Sequence, residues 1–311
     1  MPTTDTPSII AACDGADRGR QAVVLGRIIA EATGARLTIA AVYPHPGLPF
    51  PPPVTGHIDE RRRADRAIRD VRDELAPGAR TVVVPGLSPA HALCKLADEE
   101  GAGTIVVGSH HAASERRMGD ADHALQVLRS AHAAVLVVPD HRAVPAEIRR
   151  IVVGFDDGAG SRDALASAIG LARATGAHLD VISVVPREST AWWVAGEAPV
   201  EPATLDRWIE ERKAALAEAA RWALRSAGDI ETSSEVVSGG AAPCLLEASV
   251  GADLLVLGSR RWARLAHVVL GSASEYVVRA GTCPTLVVPR RVALDATTQE
   301  RSDQPDPEGT S

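Results

Sequence analysis

Short unbroken runs of aliphatic and β-branched residues alternate along this chain with longer segments whose apolar positions recur every three or four residues. The runs suit strands buried on both faces and the longer segments suit helices that cover them, which is the pattern of βα units and a parallel sheet. In the carboxy-terminal half the runs predict strands near 150–155, 178–185, 231–237, 253–257 and 284–288. The helix between the first two carries Leu165, Ala168, Ile169 and Ala172 on one face, and its amino-terminal counterpart carries Leu25, Ile28, Ile29 and Ala32. A helix near 202–226 gathers Leu205, Trp208, Ile209, Leu216 and Trp222 on a broad apolar stripe, with Glu210, Glu211, Arg212 and Lys213 toward solvent. Those tryptophans are read as core packing. Pro44 to Pro53 cannot be helix or central strand and forms a loop. Ser189 to Pro202, with Trp192-Trp193, takes the same place in the second half, as a lid or partner contact or packed on its own domain.

The pattern occurs twice. Ile9-Ile10-Ala11-Ala12-Cys13-Asp14-Gly15 is matched by Ile151-Val152-Val153-Gly154-Phe155-Asp156-Asp157, at an offset of 142. Thr104 to Ser109 matches Leu254 to Ser259, and Ala134 to Pro139 matches Pro284 to Pro289, both at an offset of 150. Three landmarks in one order indicate duplication. The expected architecture is α/β: two tandem five-stranded parallel-sheet α/β sandwich domains, Rossmann-like, over 1–140 and 150–290, with a linker at 141–149 and a disordered tail at 291–311.

Composition narrows the chemistry. With 45% hydrophobic but only 3% aromatic residues over 311 positions, the core must be aliphatic. The net charge of −7 provides no global field for nucleic acid. Lys95 and Lys213 are the sole lysines, so arginines and backbone amides must do any phosphate gripping. Cys13, Cys94, Cys244 and Cys283 lie far apart and read as reduced, mostly buried thiols. The amino terminus lacks a basic region followed by an apolar stretch, and no run nears 18 apolar residues; a cytoplasmic protein with no membrane partner is expected.

In an open parallel sheet, ligands bind beyond the carboxyl ends of the strands. There the second copy has Gly154-Phe155-Asp156 after its first strand and Gly258-Ser259-Arg260-Arg261 after its fourth, then Gly271-Ser272-Ala273-Ser274 opening the last helix. These residues form a candidate phosphate cradle without lysine. Alternatively, the glycines serve tight βα turns and Ser272 caps a helix.

The combination resembles the universal stress protein family. The likeness is carried by the Val153-Gly154-Phe155-Asp156 and Leu255-Val256-Leu257-Gly258-Ser259 strand ends, by Gly271-Ser272-Ala273-Ser274 and by Cys283-Pro284-Thr285-Leu286-Val287-Val288-Pro289. It extends more loosely over copy one. The resemblance implies an adenine nucleotide alpha hydrolase-like fold and a regulatory or sensory ATP-binding module, with ATP, and Mg²⁺ beside it, as ligand. It places phosphates at Gly258, Gly271 and Ser272, with Ser274 assisting, and adenosine at Gly154, Asp156 and the backbone of Val184 and Val185. Arg261 stands where the family pattern has a second glycine, and it either contacts phosphate or fills its space. In copy one the corresponding Asp14, Gly108 and Gly119 are accompanied by His111, Asp120 and Ala12, so weaker or no nucleotide binding is expected there.

No catalytic residue is assigned. His110-His111 lacks ligand spacing, so no metal site is expected. Ser238-Gly239-Gly240 resembles a pyrophosphatase loop but continues into Ala241-Ala242. Arg61-Arg62-Arg63, interleaved with Asp and Glu, reads as a salt-laced exposed face. Two rival readings remain: the same fold acting through protein contacts without nucleotide, and a slow ATP hydrolase. The final strand of each copy is expected to pair along its edge, joining the copies or forming a homodimer.

Overall fold

A computed structural model describes residues 7–44, 56–109, 123–139, 144–186, 202–259 and 271–290. The first copy runs β1 (Ser8–Ala12), α1 (Asp17–Thr33), β2 (Arg36–Tyr43), α2 (Gly56–Leu75), β3 (Arg80–Pro85), α3 (Pro89–Glu100), β4 (Thr104–Ser109), α4 (His123–Ser130) and β5 (Ala134–Pro139). The second repeats it with β6 (Arg150–Gly154), α5 (Ala159–Thr175), β7 (His178–Val185), α6 (Pro202–Ala223), β8 (Thr232–Ser238), α7 (Ala241–Ala248), β9 (Leu254–Gly258), α8 (Ser272–Ala280) and β10 (Thr285–Val288). One element has no counterpart: a 3₁₀ turn over Leu224–Ala227, between α6 and β8.

The ten strands form one sheet in the order β3-β2-β1-β4-β5-β10-β9-β6-β7-β8. Within each copy neighbouring strands are parallel, joined by helices as crossover geometry requires. At the seam β5 and β10 run antiparallel, with Leu136 opposite Leu286. The final strands therefore join the copies, and Asp14-side and Asp156-side strand ends are brought into one molecule about a local two-fold.

Burial on both faces explains the unbroken aliphatic runs. On one face a single core crosses the seam: Leu25 and Ile29 of α1 and Leu165 and Ile169 of α5 belong to it, together with Ile151, Leu179 and Leu286. α1 packs directly on α5. On the other face α3 and α4 cover copy one through Leu93, Leu125 and Leu128, and α7 covers copy two through Leu245. Each such fully buried aliphatic side chain contributes about 1.5–3 kcal/mol. Ile148, inside the expected linker, is buried in the shared core, so this connection is packed down rather than merely polar.

Two expectations on α6 part company. Ile209 and Leu216 are buried, with Leu205 and Trp208 packed against them. Trp222 is instead 62% exposed. At this end of the helix Ala219, Ala220 and Ala223 take the core-facing positions, and Trp222, six residues beyond Leu216, lies about 120° round from it.

Candidate functional site

The first strand of each copy ends in the same tight turn. In copy two the Asp156 carboxylate accepts the Gly158 N–H at 3.0 Å, and in copy one Asp14 accepts the Ala16 N–H at 3.0 Å. The next residue is left-handed in both: Gly15 at φ 85° and Asp157 at φ 63°. Aspartate is among the few non-glycine residues that tolerate this geometry. The turn's arginine differs. In copy one Arg18 pairs with Asp14 at 2.8 Å, whereas in copy two Arg162 pairs with Asp157 at 2.7 Å. Asp157 thus carries an arginine partner in this turn. At the position of Arg18 copy two has Gly160, and its helix start presents Arg162 instead.

Sequence reasoning missed Ser161. Its hydroxyl accepts the Asp156 N–H at 3.2 Å and donates to the Gly158 carbonyl at 3.0 Å, locking the turn. Only the offset of 142, which sets Ser161 against Gly19, could have drawn attention to it.

Gly258 and Gly108 end β9 and β4 and are each required by close packing. A Cβ on Gly258 would lie 2.3 Å from the Gly160 carbonyl oxygen, and one on Gly108 would lie 2.7 Å from the Arg18 carbonyl oxygen. The helix after the first strand therefore rests directly on the end of the fourth in both copies. Gly154 has a comparable reason: its Cβ would meet Leu257 at 2.9 Å and Leu245 at 3.1 Å. Ser259 is buried, and its hydroxyl accepts the Arg290 N–H at 3.3 Å.

Because β10 runs parallel to β9, α8 must start at the end of the sheet where β6 and β9 finish. Gly271 is its N-cap residue, at φ −61° and ψ 147°, and no side chain caps it. Ser272 is the first helical residue and is not a cap, which corrects the capping alternative. Ser272 is exposed, Ala273 half-buried and Ser274 buried at 9%. The Glu275 carboxylate lies between Arg279 of its own helix at 3.2 Å and Arg129 of copy one at 3.0 Å. Burial would raise its pKa, but the hydrogen bonds and charges of Arg129 and Arg279 outweigh that and hold it below the ordinary value.

Val184 is half-buried and Val185 is fully buried against Ile209 and Leu216. The Val185 carbonyl accepts the Gly239 N–H at 3.0 Å. Two residues earlier, the Ser183 hydroxyl is buried with no hydrogen-bond partner among the described residues. Arg261 and Gly119 lie outside the described residues, as do His110, His111, Asp120, Trp192, Trp193 and the tail. The four cysteines are unpaired; burial pushes the Cys13 thiol up and the Cys94 thiol to about 11. Among the described residues no group of three or more His, Cys, Asp or Glu could hold a metal. Among those residues, too, no helix is long and apolar enough to cross a membrane.

A doubled, mostly parallel sheet with helices on both faces places the chain among α/β proteins of the Rossmann type. Residues 7–139 and 147–289 each match the universal stress protein family model, and the chain belongs to that family. Universal stress proteins of Mycobacterium bovis and Mycobacterium tuberculosis are 34% identical to it over 147 residues, which is 45% of this chain and 48% of theirs. The match thus spans about half the length of these relatives. The fold is shared with a universal stress protein of Archaeoglobus fulgidus, at TM-score 0.64 and 18% identity over 91% of this chain and 98% of that one. It is shared also with a universal stress protein from Pseudomonas aeruginosa, at TM-score 0.63 and 18% identity over 91% and 93%.

Proposed function

We propose that copy two binds one adenine nucleotide, ATP with or without Mg²⁺, and that the protein acts as a regulatory module rather than an enzyme. The observation that carries this reading is the start of α8. Its first-turn N–H groups at Ser272, Ala273 and Ser274 receive no side-chain cap, and they share a sheet end with Asp156 and Gly258. Free N–H groups and the helix dipole together favour a phosphate. The adenosine is assigned to Gly154, Asp156 and the backbone of Val184 and Val185, and Arg261 to the phosphate edge. Copy one, through Asp14, Gly108 and Gly119, is the weaker partner, because Asp120 stands where copy two has Ser272 and a carboxylate competes with phosphate for the same N–H groups.

The second reading, contacts without nucleotide, has its own support: Gly154 and Gly258 are both accounted for by packing against protein. Domain limits of 1–140 and 150–290, a cytoplasmic location and a homodimer belong to the proposal. Self-association through a sheet edge is left to β3 and β8, since β5 and β10 pair with each other.

Titration with ATP–Mg²⁺ separates the two readings. All five tryptophans lie in the second copy, Trp262 directly after Arg261. Binding should change the intrinsic fluorescence and raise the melting temperature in proportion to saturation. Gly271→Val should abolish both responses with the fold intact, because the Gly271 backbone at φ −61° accepts any residue. Unchanged fluorescence and melting in the native protein would leave the contact reading standing.

A further inference from the structure

Away from the strand ends that carry the nucleotide proposal, copy one contains a cleft of about 720 Å³ at the amino ends of its own strands β2 and β3. It lies between the end of α1, the start of β2 and the turn from α2 to β3. Its apolar part is made by Ala30, Ala35, Leu37 and Ala79, and its rim by Arg27, Glu31 and Arg36.

In copy two the matching residues are packed, and what covers them is visible. The connection from α6 to β8 comprises residues 224–231, whereas that from α2 to β3 comprises only 76–79. The longer connection contains the 3₁₀ turn, whose Ala227 is buried in the core. Arg173 pins this turn by donating to the carbonyls of Ser226 at 3.1 Å and Ala227 at 3.3 Å. At the offset of 142, Arg173 corresponds to Glu31, Ile169 to Arg27, Ala177 to Ala35 and Leu179 to Leu37. Ile169, Ala177 and Leu179 are buried at 5%, 2% and 0%, while Arg27, Ala35 and Leu37 are all half-buried.

Charge in the cleft is unbalanced. One terminal nitrogen of Arg27 serves both Glu31 oxygens, at 2.8 and 2.9 Å, and Arg80 serves Glu100 at 3.1 Å. The Arg27 Nε is buried without an acceptor, and Arg36 has no ion-pair partner among the described residues. An unsatisfied buried donor costs about 1–3 kcal/mol. The carbonyl at the end of α1 is already occupied, since Ala30 accepts from Gly34 and Ala35, so the helix end repels an anion less than a bare one would.

We infer that this cleft is a binding site for a small amphipathic carboxylate: its apolar body covers Leu37 and the alanines, and its carboxylate accepts from the exposed guanidinium of Arg36. The volume suits such a ligand, being within the roughly 300–1,000 Å³ usual for small-molecule sites. The site is independent of nucleotide.

The test uses the full chain with 2-naphthoate, its neutral isostere 2-naphthalenemethanol and the cation 2-naphthylmethylammonium, each titrated by calorimetry and by backbone amide NMR. Expected are saturable one-to-one binding of naphthoate, amide shifts at Gly34–Leu37 and Ala76–Ala79, and affinities falling from carboxylate to alcohol to ammonium. Ala79→Trp should fill the cleft and abolish binding. Arg36→Ala should weaken naphthoate about tenfold, the effect of one charge-assisted hydrogen bond, and leave the alcohol unchanged. No saturable naphthoate binding, equal or tighter binding of the ammonium, or wild-type affinity in folded Arg36→Ala would overturn the assignment. A failure of ATP to bind would not bear on it.

Discussion

The two copies agree at the carboxyl ends of their strands and differ at the amino ends. At the carboxyl ends, Asp14 and Asp156 make the same turn, Gly15 and Asp157 the same left-handed step, and Gly108 and Gly258 the same close approach. At the amino-terminal ends, copy two is closed by buried polar groups and a 3₁₀ turn, while copy one is open. Asp180, 8% exposed, accepts from Arg150 at 2.7 Å, from His178 at 2.8 Å and from Ser233 at 2.5 Å. Copy one has Thr38 in place of Asp180 and Ser8 in place of Arg150. Duplication thus preserved the geometry that sets the crossover and released the parts that only fill space.

The comparison breaks hardest at Asp180. Asp180→Asn leaves Arg150 and His178 without their shared charge and should cost about 3 kcal/mol in urea unfolding. Thr38→Val, at the matching place, should cost under about 1 kcal/mol. Equal losses would refute the difference. pH provides a second check. Burial would raise the Asp180 pKa, but the hydrogen bonds from Ser233 and Arg150 and the charges of Arg150 and His178 lower it overall. A folded value below the ordinary 3.8 means stability that is full above 3.8 and lost as the pH falls through the folded value, and the Asn variant should lack that slope.

The shared geometry can be probed at the glycines. Gly258→Ala and Gly108→Ala should each destabilise by about 2 kcal/mol, since the new methyl meets helix backbone that cannot rotate away. A large cost in one copy alone would show that the close approach is not common to both.

A smaller effect of opposite sign is expected at Ser183, whose counterpart is Ala41. Ser183→Ala removes a buried hydroxyl without a partner and should stabilise by about 1 kcal/mol, read as a higher melting temperature. The smallest effect belongs to the bridge between copies. Arg129 is 48% exposed, so Arg129→Ala should cost only a few tenths of a kcal/mol and nothing measurable in high salt.

Much of this was legible beforehand. The five strands of copy two fall within a residue or two of their expected positions, because a strand buried on both faces leaves an unbroken aliphatic run. The repeat was legible because β-ends punctuated by Asp or Gly-Ser survive duplication. The turn chemistry of Ser161 was not, since a serine two residues into a helix has no distinctive spacing. The exposure of Trp222 was not either, because a broad apolar stripe does not say whether the tryptophan or the neighbouring alanines Ala219, Ala220 and Ala223 take the core-facing positions.

The amino-acid order by itself determined the class of fold, the duplication and the residues at the strand ends, since these follow from local periodicity and backbone tolerance. The tertiary structure alone decided that ten strands make one sheet, that Arg18 and Arg162 choose different carboxylates, and that one copy is filled where the other is hollow. Those outcomes depend on which side chains meet across 50 to 100 or more residues of chain, as Asp180 meets Ser233 and Arg129 meets Glu275, and no local pattern records such meetings.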